Sequence, residues 1–298
     1  FGEKIVIRLI DRSRFLKEKE ELGMSNEDIE IFNDVLKNKH GIILITGPTG
    51  SGKSTTLYAG LNYLKDPTKN ITTVEDPVEY QLRGINQIQV KPDIGLDFAA
   101  SLRAILRQDP DIILLGEIRD KETVDIAVKA SLTGHLVLST FHTNDTPSAI
   151  SRLSYMGVER YLLASTLNLV LAQRLVRRIC KHCKEPITLP EATLSRLGLT
   201  KADVANAQVS HGKGCSACGG TGYSGRLPIF EFMPIDEDMR TLIVNEATES
   251  EMRAMAKKKG WGVLLDSGIR AVLDGLTTAE EAISVAYTAH SQESVTTD

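Results

Sequence analysis

A glycine-rich loop set between an apolar run and an amphipathic segment is the feature that most constrains the fold of this chain. Residues 47–54 read Gly-Pro-Thr-Gly-Ser-Gly-Lys-Ser and meet every fixed position of the pattern G-x-x-x-x-G-K-[ST]. Residues 42–45, before the loop, are all Ile or Leu, which is typical of a buried strand. After the loop, Leu57, Leu61 and Leu64 share one helical face. This order of strand, loop and helix predicts a site for a nucleoside triphosphate.

The residue types in the loop suit phosphate and magnesium. Glycines let the backbone curl so that its N–H groups point inwards at a pyrophosphate, and the start of the following helix adds a favourable dipole. Lys53 would reach the β- and γ-phosphates, and Ser54 would place its hydroxyl on Mg²⁺. The candidate nucleotide-binding residues are Gly47, Pro48, Thr49, Gly50, Ser51, Gly52, Lys53, Ser54 and Thr55.

The composition of the 298-residue chain leaves room for one large or two ordinary globular domains. The 35 basic and 39 acidic residues give a net charge of −4, and this balance argues against a nucleic-acid partner. No apolar run approaches the length of a transmembrane helix, and no signal peptide is visible. The chain begins at Phe1 rather than Met, so we expect that an N-terminal part has been removed.

Apolar runs alternate with amphipathic segments from Gly41 to about Arg178, which favours a largely parallel sheet covered by helices on both faces. Before this region, Ser25 and Asp28 have the spacing of a capping box that starts a helix towards Lys39. The predicted strands span residues 42–46, 70–75, 85–90, 111–115 and 135–140. The predicted helices between them span residues 53–65, 97–107, 121–132, 146–156 and 160–177. Four further helices are predicted at residues 237–245, 247–259, 262–274 and 278–286, the last with a second capping box at Thr278 and Glu281.

Two acidic clusters follow predicted strands, at the position where α/β sheets bind ligands. Glu117 comes just past the strand at 111–115, after the intervening Gly116, and is the candidate acid near Mg²⁺. Glu75 and Glu79 lie where the predicted strand at 70–75 ends. They could bind Mg²⁺ through water and orient an attacking water, and the pattern leaves open which of the two is the base.

Polar residues also cluster where the predicted strand at 135–140 ends. His142, Thr140 and Thr143 could sense the γ-phosphate of a bound triphosphate. His135 lies at the start of the same strand, and a structural role for it is equally open.

All four cysteines fall into two Cys-x-x-Cys pairs, which are separated by residues 184–214. Each pair is typical of a tight knuckle, and two knuckles complete a tetrahedral thiolate shell for a structural Zn²⁺. Disulfide bonds are the alternative, which a reducing compartment would disfavour. The candidate metal ligands are Cys180, Cys183, Cys215 and Cys218.

Taken together, these motifs resemble those of the secretion ATPase superfamily. Residues 47–54 resemble its Walker A motif, residues 73–80 its Asp box, residues 114–120 its atypical Walker B motif and residues 134–144 its His box. The paired cysteines, with Ala-Gln-Arg-Leu at 172–175 before them, resemble the assembly ATPases of type II secretion and type IV pili, the GspE/PilB family. The retraction ATPases of pili share the four boxes but lack the cysteine pairs.

The resemblance implies a fold and a set of partners. It implies an α/β fold with a RecA-like P-loop NTPase core, a tetracysteine zinc-binding subdomain and a small C-terminal helical region, with ATP, Mg²⁺ and Zn²⁺ as cofactors. It implies a cytoplasmic homo-hexamer, peripheral at the inner membrane, that docks on a membrane platform protein. This hexamer would hydrolyse ATP to assemble a pilus or a pseudopilus, and the motifs do not separate the two systems.

The resemblance also implies roles for single residues. Glu79 would be the base, with Glu75 as the alternative, and Glu117 would be the Walker B acid near Mg²⁺. His142 and His135 fall in the His box. The matching segments also hold candidates for arginine fingers, which are Arg103, Arg107 and Arg119.

The motifs and the resemblance together divide the chain into five predicted parts. They are the last strand and linker of a truncated N-terminal domain (1–14), the RecA-like core (15–178), the tetracysteine subdomain (179–235), the C-terminal helical region (236–290) and a disordered tail (291–298).

Two other functions fit parts of this pattern. A RecA-like motor acting on nucleic acid should carry a basic stripe and aromatic stacking residues, whereas aromatic residues make up only 5% of this chain. A non-hydrolysing nucleotide-binding regulatory platform is the second alternative. The presence of Lys53, Ser54, Glu79 and Glu117 argues against it.

Overall fold

A computed structural model describes residues 2–6 and 19–291 of the chain. The strands, in chain order, are β1 (Gly41–Thr46), β2 (Ile71–Glu75), β3 (Asn86–Gln89), β4 (Ile112–Leu115), β5 (Leu136–Phe141), β6 (Leu167–Ile179), β7 (Lys184–Pro186), β8 (Ser210–Gly212) and β9 (Tyr223–Pro234). The α-helices are α1 (Asn26–Leu36), α2 (Lys53–Leu64), α3 (Phe98–Ile105), α4 (Lys121–Leu132), α5 (Thr146–Tyr155), α6 (Arg160–Thr166), α7 (Glu191–Leu197), α8 (Glu237–Val244), α9 (Glu249–Lys258), α10 (Leu264–Leu273) and α11 (Ala279–Ser291).

Seven of these strands form one sheet in the order β3-β2-β4-β5-β1-β6-β9. The strands β1 to β6 of this sheet pair in parallel, and β9 pairs antiparallel with β6 along most of its length. The carboxyl ends of β1, β2, β4 and β5 therefore lie at one edge, which is where parallel sheets bind ligands. The short strands β7 and β8 form a separate antiparallel pair.

The core lies on both faces of the sheet, because successive side chains of a strand point to opposite faces. In β1, Ile42 and Leu44 join a buried cluster with α3, α4, α5 and α6 and with the later helices α8 and α9. Ile43 and Ile45 join a second cluster with α1 and α2. The predicted parallel sheet with helices on both faces is confirmed.

Most predicted elements are confirmed, with ends that shift by a few residues. The capping box at the start of α1 is present, since Ser25 and Asp28 each accept the other's backbone N–H. At the start of α11, Thr278 accepts from the Glu281 N–H, whereas the Glu281 carboxylate accepts from the backbone N–H and guanidinium of Arg177. The second predicted capping box is therefore half formed, because the Glu281 carboxylate pairs with Arg177 instead of the N-cap backbone.

The helix predicted at residues 160–177 is wrong over most of its length. Only Arg160–Thr166 is helical, and β6 begins at Leu167. The segment is rich in Leu, Ala, Gln and Arg, which are good helix formers. Its central part is bonded to β1 on one side and to β9 on the other, and this pairing outweighs the intrinsic preference. A strand buried on both faces has no polar alternation that would reveal it.

The structure describes few of the residues on which the predictions for the two ends of the chain depend. The predicted strand near the N-terminus lies mainly outside the described residues, and residues 2–6 are exposed and in neither helix nor strand. Of the predicted tail, only Ser291 is described. The five-part division stays a prediction, and β9, within its third part, belongs to the large sheet. Across the described ranges, no helix combines the length and the apolar character that a bilayer span requires.

Candidate nucleotide and metal sites

The loop at residues 47–52 joins β1 to α2 and packs against β6. Gly47 has a φ of 148°, and a Cβ at this position would lie 2.4 Å from the carbonyl oxygen of Gln173, so the approach of the two backbones requires glycine. α2 begins after Gly52 without a side-chain cap. The N–H groups of its first turn are therefore available to an anion.

Lys53 lies folded against this loop. Its Nζ donates to the carbonyl oxygens of Gly47 at 2.7 Å and Pro48 at 3.0 Å. Burial lowers the pKa of Lys53 to about 8, with Glu117 opposing this shift and Arg174 reinforcing it. An anion bound beside the ammonium would favour its charged form.

The hydroxyl groups of the loop differ in exposure. Thr49 and Ser54 are exposed and Thr55 is half-buried. The Ser51 Oγ is buried and has no hydrogen-bond partner among residues 2–6 and 19–291. A buried hydroxyl without a partner costs free energy, so this atom is a donor available to a bound group.

Gln173 on β6 ties the loop to α2, and sequence reasoning assigned it no role. Its Oε1 accepts from the Thr56 Oγ1 at 2.8 Å, and its Nε2 donates to the carbonyl oxygen of Ser51 at 3.0 Å. The only sequence signal is an amide inside an apolar run, and the residue preferences of that run favour a helix.

Gly116 allows Glu117 to reach the site edge. The Gly116 N–H donates to the Val74 carbonyl oxygen at 2.8 Å. A Cβ at this position would lie 3.2 Å from that oxygen and 3.3 Å from the Glu75 Cα. The chain beyond β4 therefore crosses close to β2, and the acid follows one residue later than an acid placed directly after the strand.

Glu117 is held between a guanidinium and an imidazole at this edge. Its Oε1 accepts from Arg119, and its Oε2 lies 3.3 Å from the Nε2 of His142. Arg119 also lies 3.8 Å from the Asp76 carboxylate. Burial acts to raise the pKa of Glu117, but Arg119 and His142 hold it below its usual range. Glu117 is therefore ionised at neutral pH and brings together residues that follow β2, β4 and β5.

The two acids of the predicted Asp box have different surroundings. Glu75 is 4% exposed, and its carboxylate accepts from Tyr58, Thr73 and Gln87. Glu79 is half-buried, and its carboxylate makes no hydrogen bond or ion pair within the described chain. Only Glu79 keeps its acceptor sites open.

The polar residues of the predicted His box lie at the two opposite ends of β5. The Thr140 Oγ1 donates to the Gly116 carbonyl oxygen at 2.6 Å, and the Thr143 Oγ1 lies 2.6 Å from the Thr46 Oγ1. His135 lies before the strand, with its Nδ1 2.8 Å from the Ala130 carbonyl oxygen. A strand of this length separates it from His142 by about 23 Å, so the structure does not bring His135 to the site.

The three candidate arginine fingers have different surroundings. Arg119 is the one that contacts Glu117. Arg103 lies 2.5 Å from the Glu122 carboxylate, on α4. Arg107 is exposed.

A buried charged network next to the site was not predicted. Arg174 on β6 donates to the Asn144 side chain at 2.9 Å, and Arg253 on α9 pairs with Asp145. Glu231 on β9 accepts from the N–H and Oγ1 of Thr146, at 2.9 and 2.6 Å. Burial raises the pKa of Glu231. These bonds connect the end of β5 to the C-terminal helices.

The four cysteines converge, as predicted, into a group that could hold a metal ion. Their sulfur atoms all lie within 4.8 Å of one another. The distance is 3.9 Å for Cys180 to Cys215, 3.9 Å for Cys183 to Cys218 and 3.7 Å for Cys215 to Cys218. These separations are far longer than a disulfide bond of about 2.05 Å, and all four residues are free thiols.

Backbone N–H groups surround these sulfur atoms. Cys218 accepts from the N–H groups of Cys215 at 3.2 Å and Gly222 at 3.3 Å, and these bonds lower its pKa to about 6. Cys183 accepts from the Gly214 N–H at 3.3 Å, but burial outweighs this bond and raises the pKa of Cys183 to about 12 in the metal-free protein. N–H donors of this kind stabilise thiolates, the form that binds metals.

Comparison with known proteins gives a consistent family. A family model described as "Type II/IV secretion system protein" matches residues 1–284. The chain is 49% identical over 284 residues to the type IV pilus assembly ATPase PilB of Thermus thermophilus, covering 95% of this chain and 32% of that protein. It is 51% identical over 284 residues to the type II secretion system protein E of Pseudomonas aeruginosa, covering 95% of this chain and 56% of that protein. The chain thus spans between a third and somewhat more than half of these relatives.

Solved structures agree with this result. The crystal structure of the pilus retraction motor PilT with bound ADP superposes with a TM-score of 0.69 at 28% identity, over 93% of this chain and 68% of that one. The ATPase DotB of Legionella pneumophila superposes with a TM-score of 0.66 at 22% identity, over 92% of this chain and 66% of that one, and supports the fold alone.

We predict that Gln173→Leu destabilises the protein. The substitution keeps the volume but leaves the Thr56 hydroxyl and the Ser51 carbonyl without partners, which should lower the free energy of unfolding by about 1–3 kcal/mol. Denaturant titration measures this change, with Gln208→Leu at an exposed position as the matched control. A loss within about 0.5 kcal/mol, as for ordinary surface substitutions, would contradict the role of Gln173.

Proposed function

The chain belongs to the type II/IV secretion system protein family, and we propose that it is the ATP-hydrolysing part of a motor that assembles a pilus or a pseudopilus. The observation that carries this proposal is the meeting of Lys53, Glu117 and His142 at the ends of neighbouring parallel strands. A phosphate loop beside an ionised acid that can hold Mg²⁺ is a recurring arrangement in enzymes that hydrolyse triphosphates.

In this proposal the loop residues 47–55 hold the phosphates of ATP. The open N–H groups at the start of α2 and the Lys53 ammonium would neutralise phosphate charge. Ser54 and Glu117 would hold Mg²⁺, which offsets the charge that develops on the phosphate oxygens.

Glu79 is the proposed base because its carboxylate has open acceptor sites. It would orient the attacking water and take its proton as the water oxygen bonds to the γ-phosphorus and the bond from that phosphorus to the bridging oxygen of the ADP leaving group breaks. His142 faces Glu117 and would contact the γ-phosphate. Loss of the γ-phosphate would then change the contacts of His142, directly after β5. In the same proposal, the Arg119 guanidinium would leave its ion pair with Glu117 and pair with a phosphate of the nucleotide instead.

For the cysteine group we propose Zn²⁺. Four thiolates at about 2.3 Å from a tetrahedral zinc ion have S–S edges of about 3.8 Å. Three of the pairs of sulfur atoms, at 3.7 to 3.9 Å, agree with this edge, and all four sulfur atoms lie within 4.8 Å of one another. Four protein ligands leave no open position, so the ion would stabilise the segment around it rather than take part in hydrolysis.

The assembly and location are proposals that rest on the resemblance of the motifs to the GspE/PilB family. We propose a RecA-like core within a cytoplasmic homo-hexamer that docks on a platform protein of the inner membrane. PilB is named as a type IV pilus assembly ATPase and protein E as a component of type II secretion. Association with the membrane would then run through partners.

We predict that two substitutions separate nucleotide binding from hydrolysis. Glu79→Gln should bind ATP with nearly unchanged affinity and lower kcat at least about 100-fold, because the proton acceptor is lost. Lys53→Ala should lose both binding and turnover. Steady-state kinetics and equilibrium binding on the oligomeric protein measure these effects, with the exposed Glu30→Gln as control. Wild-type turnover in Lys53→Ala would refute the proposal.

We predict that ATP binding at pH 8.5 is coupled to proton uptake. The free protein holds Lys53 mostly neutral because its pKa is lowered to about 8, and bound phosphate restores the charged form. The phosphates are already ionised at this pH, since the pKa of the last phosphate proton is about 6. Calorimetry in two buffers of different ionisation enthalpy should report uptake of a fraction of a proton. Lys53→Arg, charged throughout, should bind without it, and equal uptake in this variant would assign the proton elsewhere.

We predict about one zinc ion per chain in the reduced protein. Elemental analysis should find this ion, and Cys183→Ser should lower the zinc content while Ser216→Ala, between the second pair, should leave it unchanged. Removal of zinc by a chelator should lower the thermal stability. A folded, reduced sample with neither zinc nor any other metal would exclude the ion.

A further inference from the structure

The carboxylate of Glu75 accepts three hydrogen bonds from protein side chains. Its Oε2 accepts from the Tyr58 hydroxyl, and its Oε1 accepts from the Thr73 Oγ1 at 2.5 Å and from the Gln87 Nε2 at 3.1 Å. Glu75, Thr73 and Ile71 alternate along β2, and Ile71 packs in the cluster formed with α1 and α2. The carboxylate is therefore directed into this helix-covered face.

Gln87 extends these contacts to the segment that follows Glu79. Its Nε2 also donates to the Tyr80 carbonyl oxygen at 3.0 Å, and its Oε1 accepts from the Leu82 N–H at 2.6 Å. The amide thus uses both of its N–H groups and its oxygen. The backbone directly after Glu79 is fixed to β3 and, through Glu75, to β2.

Tyr58 brings the phosphate-binding helix into the same chain of hydrogen bonds. It lies in α2, which begins at Lys53, and it is 1% exposed. One continuous set of bonds therefore runs from α2 through Glu75 and Gln87 to the backbone beside Glu79.

We infer that Glu75 is a positioning residue that, together with Gln87 and Tyr58, fixes Glu79 relative to the phosphate-binding helix, and that it is not the base. This inference rests on the proposed function, in which Glu79 takes the proton of water. A base needs an open acceptor site within hydrogen-bond reach of the water. Glu75 accepts hydrogen bonds from three side chains, whereas the carboxylate of Glu79 has no hydrogen-bond partner within the described chain.

The test compares kcat and KM for ATP in four variants of the oligomeric protein. Glu75→Gln keeps an oxygen that accepts from Tyr58 or Thr73, so kcat should stay within about tenfold of wild type, whereas loss of a base costs about 100-fold or more. Gln87→Ala and Tyr58→Phe should lower kcat about tenfold by misplacing Glu79 and should leave KM within about twofold. Gln89→Ala is the matched control, because Gln89 is an exposed glutamine on the same strand.

A double substitution separates positioning from a general structural effect. In a Glu79→Gln background, Gln87→Ala should cause no further loss of kcat, because the group that it positions is already gone. Independent, multiplicative losses would overturn the inference. A loss in Glu75→Gln of more than about 100-fold would overturn it as well and would assign the base to Glu75.

Hydrogen exchange tests the relay without reference to hydrolysis. The Leu82 N–H donates to Gln87, so its exchange should become about tenfold faster in Gln87→Ala and in Glu75→Ala, and should be unchanged in Gln89→Ala. Unchanged exchange in the first two variants would overturn the relay even if the protein hydrolyses ATP. Faster exchange in a protein that does not hydrolyse ATP would instead refute the proposed function alone.

Discussion

The parallel pairing of β1 with β5 on one side and β6 on the other is the constraint on which the candidate site depends. Thr46 at the end of β1 pairs with Phe141 of β5 and with Ala172 of β6. The next residues along the three strands are Gly47, His142 and Gln173, so the register alone places the phosphate loop, the histidine and the anchoring amide side by side. The pairing of Val74 with Leu115 continues this edge to β2 and β4. Distant residues thus meet because their strands end at one level.

Local pattern predicts this fold well where each strand is bounded by turns and followed by an amphipathic helix. Five strands of the sheet and the helices between them follow from such alternation. β6 fails because burial on both faces removes the polar alternation and its residues favour helix. Its identity depends on hydrogen bonds to β1 and β9, and β9 lies far along the chain. No window of local sequence contains that information.

The same limit applies within the site. Lys53 and the cysteines are recognisable because spacing alone specifies their chemistry. Glu75 and Glu79 look equivalent in sequence, and what distinguishes them is Tyr58 on another element and Gln87 on the next strand. His135 and His142 share one motif, yet they lie at opposite ends of β5. The chemistry that a side chain can perform is evident from the sequence. The number of hydrogen-bond partners that already occupy that side chain depends on the tertiary structure.

β6 also connects the phosphate loop to the cysteine group. Gln173 on this strand binds the loop, and Arg177 further along it stacks on Tyr223 at 4.1 Å and pairs with Glu281 of α11. Cys180 follows directly after the strand ends. About 3.3 Å per residue gives roughly 23 Å from Gln173 to Cys180, spanned by one strand that β9 braces along most of its length. In this arrangement, a metal ion that fixes the four cysteines would also fix the far end of the strand that holds the phosphate loop.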